Sequence, residues 1–151
     1  MIPLIPLLIS STLGSDAVQN SGVVYAQPGQ TVILTLKIDN PEEVLINKDA
    51  PTRLTLTTPF QKLTLTEKDI KGPDADYEPE TYFARLDPLQ FQLTVPKTFK
   101  KGRYPLDLNA DLFMCNKNVG LCFMKTVQVK GELQVGFKGQ SQPMVVKVPK
   151  K

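Results

Sequence analysis

The two cysteines of this chain, Cys115 and Cys122, lie in the segment FMCNKNVGLCFMK at residues 113–125. The chain has 151 residues and no histidine, so it can form neither a Ser-His-Asp triad nor a Cys-His pair. Two cysteines without histidine also cannot complete a four-ligand zinc site within one chain. The composition therefore leaves thiol and disulfide chemistry, together with the chemistry of carboxylates and lysines.

Two long alternating segments flank the cysteines. In YPLDLNADLFMC, residues 104–115, one face consists of apolar residues, and Cys115 lies on the other face with Phe113 and three polar residues. The segment LCFMKTVQVKGELQVGF, residues 121–137, places Cys122 on the corresponding face. Between them, NKNVGL supplies Asn and Gly, which tolerate positive φ in a hairpin turn. The sequence predicts a β-hairpin with both thiols on one face, directed away from the core.

A register that sets Cys115 directly opposite Cys122 also gives favourable pairs elsewhere on the two strands. Phe113 is then opposite Met124, an apolar pair, and Asp107 is opposite Lys130, a pair of opposite charge. Lys125 is the exception, because it falls on the core face, opposite Leu112. Either a β-bulge or an ammonium group that reaches past the end of the core would accommodate it.

Three interpretations of the cysteine pair remain open from the residues alone. The first is a structural disulfide, which composition favours. The second is a reversible redox pair, because both thiols lie on one face and have an apolar collar of Phe113, Phe123 and Met124. Lys117 and Lys125 lie nearby in the sequence and would favour a thiolate. The third is a Cu(I) site formed by both thiols and Met124. We expect no bound cofactor and no metal.

The rest of the chain is patterned as strands. Period-2 alternation rich in β-branched residues recurs at residues 31–39, 53–58, 61–66 and 91–95, and turn signals such as QPGQ, NPEE and KKGR separate these segments. No segment has the pattern of an amphipathic helix. The sequence predicts an all-β fold, an immunoglobulin-like antiparallel β-sandwich that carries the cysteine hairpin.

We assign residues 27–151 to this sandwich domain and residues 1–26 to an N-terminal segment. That segment begins MIPLIPLLISSTLGSDA, an apolar run that ends in small residues but lacks a basic start. It is a candidate signal peptide, an edge strand or a linker in a fragment of a longer protein. A signal peptide would place the disulfide in an extracytoplasmic compartment such as the periplasm or a thylakoid-like lumen.

Residues 68–88 differ from the strands. This segment is long, acidic and poorly patterned, and its carboxylates alternate at Asp74, Asp76, Glu78 and Glu80 without the glycine and closing glutamate of a calcium loop. The sequence predicts a surface loop, with a cap over a functional site as the second interpretation.

The charge pattern indicates which partners to expect. The net charge is +3, and the cations are scattered among 15 carboxylates except at Lys100-Lys101 and the terminal Lys150-Lys151. Nucleic acid binding needs a clustered basic face and stacking aromatic residues, so we expect no nucleic acid partner. The N-terminal apolar run is too short to span a bilayer, so we expect no integral membrane span.

The hairpin and three further segments resemble the C-terminal β-domain of the NHL-repeat-containing protein 2 family. These segments are PGQTVILTLKIDNP at 28–41, LINKDAPTRLTL at 45–56 and FQLTVP at 91–96, and the resemblance covers about residues 27–137. In that family a thioredoxin-like domain and an NHL propeller precede the β-domain. The domain is also similar in plan to the N-terminal immunoglobulin-like domain of the thiol:disulfide interchange protein DsbD.

The resemblance implies a function. Cys115 and Cys122 correspond to the hairpin pair that relays electrons in the DsbD domain, so the chain would be an accessory module of thiol-disulfide exchange. Its partner would be a thioredoxin-like domain or protein, and the chain would be part of a larger multidomain protein. The alternative is a non-catalytic interaction domain whose hairpin disulfide is structural.

Overall fold

The computed structural model describes residues 18–150, which form ten β-strands and no helix. The strands are β1 Gln19–Ala26, β2 Thr31–Asp39, β3 Val44–Asn47, β4 Arg53–Thr57, β5 Lys62–Thr66, β6 Tyr82–Phe83, β7 Leu89–Thr94, β8 Gly102–Asn116, β9 Leu121–Val135 and β10 Met144–Lys147. Nothing in this part of the chain could cross a membrane as a helix. The prediction of an all-β fold is confirmed.

Seven strands form one sheet and three form the other. In the larger sheet the order is β1-β9-β8-β3-β6, with β4 paired to β8 and to β5; in the smaller sheet it is β10-β2-β7.

β1 lies at a sheet edge, within the range assigned to the N-terminal segment. The candidate signal peptide at residues 1–17 lies outside the described residues. The finer assignment, an immunoglobulin-like topology, stays a prediction.

The prediction of a purely antiparallel sandwich is wrong at two edges. β1 runs parallel to β9, and β10 runs parallel to β2. Parallel neighbours need a long connection, and here most of the chain lies between the two strands of each pair. Alternation of apolar residues reports which face is buried but carries no information on strand direction, so the sequence could not reveal this feature.

The main core lies between the two sheets and follows the predicted alternation. In β8 the side chains of the core face are fully buried: Leu106, Leu108, Ala110, Leu112 and Met114. β9 contributes Val127, Val129, Leu133 and Val135, and β2 contributes Leu34, Leu36 and Ile38. These residues form one cluster with residues of β7 and β10, so the β8–β9 hairpin is packed against the smaller sheet along most of its length.

The end of the hairpin that carries the cysteines has a different neighbour. In its middle, β8 pairs with β4, but its last three residues pair with β3, from Met114 to Asn116. β6 then pairs with the outer edge of β3. Four strands in the order β9-β8-β3-β6 therefore surround the cysteine pair.

Candidate functional site

The cross-strand register of the hairpin is the predicted one. Cys115 is opposite Cys122 and Phe113 is opposite Met124. The other predicted pair forms an ion pair, with 4.0 Å between Lys130 Nζ and Asp107 Oδ1. The pairing is uninterrupted from Gly102 to Asn116, so no bulge lies near the turn.

The turn sequence explains how the hairpin closes. The Asn116 side chain accepts a hydrogen bond from the Asn118 N–H at 3.0 Å, and the Asn116 carbonyl accepts one from the Gly120 N–H at 2.9 Å. Gly120 has φ of +69°, a left-handed conformation that glycine adopts without steric cost. The Asn and Gly residues therefore fix the register that brings the two cysteines together.

Cys115 and Cys122 are joined in a disulfide, with their Cα atoms 3.9 Å apart. Their environments are very different, because Cys115 is only 5% exposed whereas Cys122 is exposed. The prediction that both thiols point away from the main core is right about the face of the sheet. Cys122 is exposed on that face, but Cys115 is not, because a second apolar cluster covers it.

That second cluster consists of Leu45, Ala75, Tyr82 and Cys115, with Ala84 and Phe113 packed against it. We call residues 74–84 the cap. The Tyr82 hydroxyl donates a hydrogen bond to Cys115 Sγ at 3.2 Å and lies 4.0 Å from Cys122 Sγ. The aromatic ring of Tyr82 thus closes the inner sulfur off from solvent, and its hydroxyl group contacts the disulfide.

The cap is tied to the sheet on its inner side. Its strand β6 pairs Phe83 with Ile46 and Tyr82 with Asn47. The Asn40 side-chain amide donates hydrogen bonds to the carbonyls of Val44, at 2.6 Å, and of Ala84, at 3.0 Å. Asn40 therefore links the start of β3 to the end of the cap.

The cap also has ordered contacts within itself and at its rim. The Ala75 N–H donates to the Tyr82 carbonyl at 3.0 Å, and Lys48 Nζ lies 2.6 Å from Asp74 Oδ1. Tyr77 stacks on Tyr82 with 6.1 Å between ring centroids. A side-chain hydrogen bond to Glu78 raises the pKa of the Tyr77 hydroxyl. The segment at 68–88, predicted first as a surface loop, is in this part a packed cover.

The predicted collar and lysines are only partly assembled around the disulfide. Phe113 packs in the cysteine cluster and Met124 is 52% exposed. Phe123 instead packs against the main core, because it lies on the opposite face of β9. Lys125 is half-buried opposite Leu112, and Lys117 is exposed in the turn.

Sequence reasoning missed the most important contact at this site, Tyr82. It lies 33 residues before Cys115 in a segment without alternation. One signal was present: three aromatic residues, Tyr77, Tyr82 and Phe83, interrupt an otherwise polar acidic segment. Aromatic side chains in such a segment are available to cover a neighbouring apolar surface.

The two sulfur atoms are bonded to each other in this structure, so the Cu(I) interpretation applies only to the reduced pair. The arrangement is a disulfide with one shielded and one accessible sulfur, and its available chemistry is thiol-disulfide exchange.

The unequal burial predicts unequal alkylation after mild reduction. We expect Cys122 to react with iodoacetamide at least about tenfold faster than Cys115, because a local opening of about 1.4 kcal/mol suffices for that factor. Tyr82→Ala should remove most of the difference, whereas Tyr82→Phe, which keeps the ring, should preserve it. Peptide mass spectrometry over a time course measures both rates, and equal rates in the wild type would contradict the shielding.

Comparison with known proteins shows a similarity to part of a larger protein. NHL repeat-containing protein 2 of Gallus gallus is 27% identical over 118 residues, which are 78% of this chain and 15% of that protein. The chain therefore spans a small part of this relative, and the similarity supports a common origin for that part. A scan against protein-family models finds no match.

Proposed function

We propose that this domain is an accessory module of thiol-disulfide exchange in which Cys122 is the sulfur that partners reach. The observation that carries the proposal is the asymmetry of the disulfide, with Cys122 exposed and Cys115 buried beneath Tyr82. Exchange requires in-line access of a thiolate to one sulfur, and only Cys122 offers it without movement of the cap.

The reaction is a two-electron transfer in two steps. A partner thiolate attacks Cys122 Sγ, the Cys115–Cys122 bond breaks, and Cys115 leaves as a thiolate. The partner's second thiolate then attacks the partner's first sulfur, which is bonded to Cys122 in the mixed disulfide, and Cys122 leaves as a thiolate. The partner becomes a disulfide, the domain becomes a dithiol, and the two protons of the partner's thiols pass to the two cysteines through solvent.

Tyr82 has a defined part in the first step. Its hydroxyl already donates to Cys115 Sγ at 3.2 Å, and this bond strengthens when the sulfur becomes an anion. A hydrogen bond to the departing thiolate stabilises that anion and so favours the step in which it leaves. Tyr82 is therefore a positioning residue that shields the inner sulfur and favours its departure.

The exposed surface around Cys122 suits a protein partner. Three apolar side chains lie at this end of the hairpin, and all are at least 46% exposed: Val119, Leu121 and Met124. We infer a thioredoxin-like partner, because the resemblance to the NHL-repeat-containing protein 2 family implies such a domain in the same polypeptide. The immunoglobulin-like plan that the sequence predicts, similar to that of the DsbD domain, favours the same class of partner.

The stability of the fold depends less on the disulfide than on the main core, which argues against a purely structural role for the bond. The bond closes a short loop, with a sequence separation of 7 residues. In the chain-entropy model such a loop contributes about 2–3 kcal/mol. The main core already contains fully buried side chains from both sheets, so the fold has a second and larger source of stability.

The reduction potential of the Cys115–Cys122 pair tests the proposal. We expect a value of about −120 to −270 mV after equilibration in glutathione or dithiothreitol buffers, the range of exchange proteins. Free thiols are counted after acid quenching. A value well below about −300 mV would mark a structural bridge and would overturn the exchange function.

The second candidate function is a non-catalytic interaction domain. The burial of Cys115 under an ordered cap favours it, because a disulfide held on one side by packed residues is also what a structural clip requires. A variant in which both cysteines are replaced by serine separates the two candidates. If the disulfide is a structural clip, this variant loses stability and partner binding; if the domain is an exchange module, it keeps its fold and its partner binding and loses only electron transfer.

A further inference from the structure

A positively charged surface lies at the opposite end of the hairpin from the disulfide. Three segments meet there: residues 27–30, 96–103 and 136–138. The Gly29 N–H donates to the Val95 carbonyl at 2.8 Å, and the Gly136 N–H donates to the Ala26 carbonyl at 2.9 Å. These segments carry five exposed cations: Lys97, Lys100, Lys101, Arg103 and Lys138. We call this surface the basic end.

The charge of the basic end is not compensated. No Asp or Glu occurs in residues 26–31, 95–104 or 134–140. Within the described chain, none of its five cations forms an ion pair, whereas Lys48, Lys130 and Lys150 elsewhere each do. A chain with a net charge of +3 therefore concentrates five positive charges on one end. Such a surface attracts anions and raises their local concentration.

Two of the cations are held in place by one aromatic ring. Lys101 Nζ lies 4.8 Å from the Phe137 ring centroid, and Arg103 Cζ lies 5.9 Å from the same centroid. The turn that precedes them is fixed as well, because the Tyr104 hydroxyl donates to the Lys100 carbonyl at 2.7 Å. Side chains that are already ordered lose less entropy when they bind, so this pair is prepared for a ligand.

We propose that the basic end binds an extended acidic segment of a partner protein, with carboxylates at alternating positions. Lys101 and Arg103 are alternate residues on one side of the chain, so they lie about 7 Å apart. Alternate carboxylates of an extended peptide have the same spacing. The guanidinium of Arg103 can also pair with a carboxylate through two parallel hydrogen bonds.

The same geometry argues against single-stranded nucleic acid as the ligand. Such ligands stack their bases on exposed aromatic rings. The ring of Phe137 is occupied by the two cations, and Phe99 packs against Tyr104 with 5.0 Å between centroids. The basic end offers charge without a free stacking surface, as an acidic peptide requires.

The test uses the whole domain and a synthetic acidic peptide, PDADYEPET, which has alternating carboxylates and the sequence of residues 73–81. We expect saturable binding in isothermal titration calorimetry that weakens as salt is added. The K101E/R103E variant should lose affinity at least about tenfold, because it places like charges opposite the peptide. The K101Q/R103Q variant, which keeps long side chains on Phe137, should lose less.

Two controls make the result decisive. The K62E/K71E variant has the same change in net charge at exposed positions outside the basic end, and it should keep wild-type affinity. A peptide with Asn and Gln in place of the carboxylates should not bind. Equal losses in both charge-reversed variants, or tighter binding of a ten-nucleotide single strand than of the acidic peptide, would overturn the proposal.

Discussion

Cys115→Ser is expected to give a domain that forms a mixed disulfide with a thioredoxin-like protein rapidly, whereas Cys122→Ser should do so slowly. Each variant keeps one thiol, which is converted to a mixed disulfide with thionitrobenzoate. A thioredoxin variant that retains only its attacking cysteine then displaces the coloured thiolate. The C115S protein presents its activated sulfur at Cys122, which is exposed at the start of β9, so the reaction needs no movement of the cap.

The C122S protein presents its sulfur beneath Tyr82, whose exposure is 8%. Attack on Cys115 therefore requires opening of the cap, and exposing one large aromatic side chain costs about 2–3 kcal/mol. We expect a rate ratio of roughly 30-fold to 100-fold, since 1.4 kcal/mol corresponds to a factor of ten. Absorbance of released thionitrobenzoate measures both rates.

Removing the cover provides the control. Tyr82→Ala in the C122S background should recover much of the lost rate, and the same substitution in the C115S background should change the rate little. If C115S and C122S react equally, the burial of Cys115 does not govern exchange. If C122S is the faster variant, the assignment of Cys122 as the accessible sulfur is wrong.

The sequence predicts the hairpin well because the hairpin is a local structure. The alternation of β8 and β9 decides which residues face the core, and the turn residues Asn116 and Gly120 restrict the register. Only one register then pairs Phe113 with Met124 and sets the cysteines opposite each other. Such short-range constraints can be evaluated without knowledge of the rest of the fold.

The cover over Cys115 could not be predicted in the same way. Tyr82 reaches the disulfide only because β6 pairs with β3 and β3 pairs with the end of β8. β6 has two residues, too few for a period-2 pattern. The prediction that Phe123 belongs to the collar around the cysteines was also wrong. Phe123 follows Cys122 directly in the sequence, and adjacent residues in a strand point to opposite faces of the sheet.

The two ends of the hairpin carry different features on one rigid element. Lys101, which directly precedes β8, and Cys115, near the end of that strand, are 14 residues apart, about 46 Å at 3.3 Å per residue. Acidic side chains are exposed in the cap beside the disulfide, and unpaired cations lie at the basic end. A partner that contacts one end does not block the other, so docking and exchange can be changed by separate substitutions.

Leu108→Ala is expected to destabilise the domain more than reduction of its disulfide does. Leu108 is fully buried at the centre of β8, between Leu56 of β4 and Val129 of β9. Truncating such a leucine costs about 2–5 kcal/mol, because transfer free energy is lost and a cavity remains. Closing the short disulfide loop contributes only about 2–3 kcal/mol. Urea unfolding with an unchanged m-value measures both effects.

Leu121→Ala is the matched control, because Leu121 is 46% exposed at the tip of the same hairpin. It should lower the free energy of unfolding by less than about 1 kcal/mol. If the loss in free energy of unfolding is largest for L108A, smaller for reduction and smallest for L121A, the sandwich core stabilises the fold and the disulfide can open during exchange. If reduction unfolds the domain while L108A is tolerated, the bond is a structural clip, and the interaction-domain function replaces the exchange function.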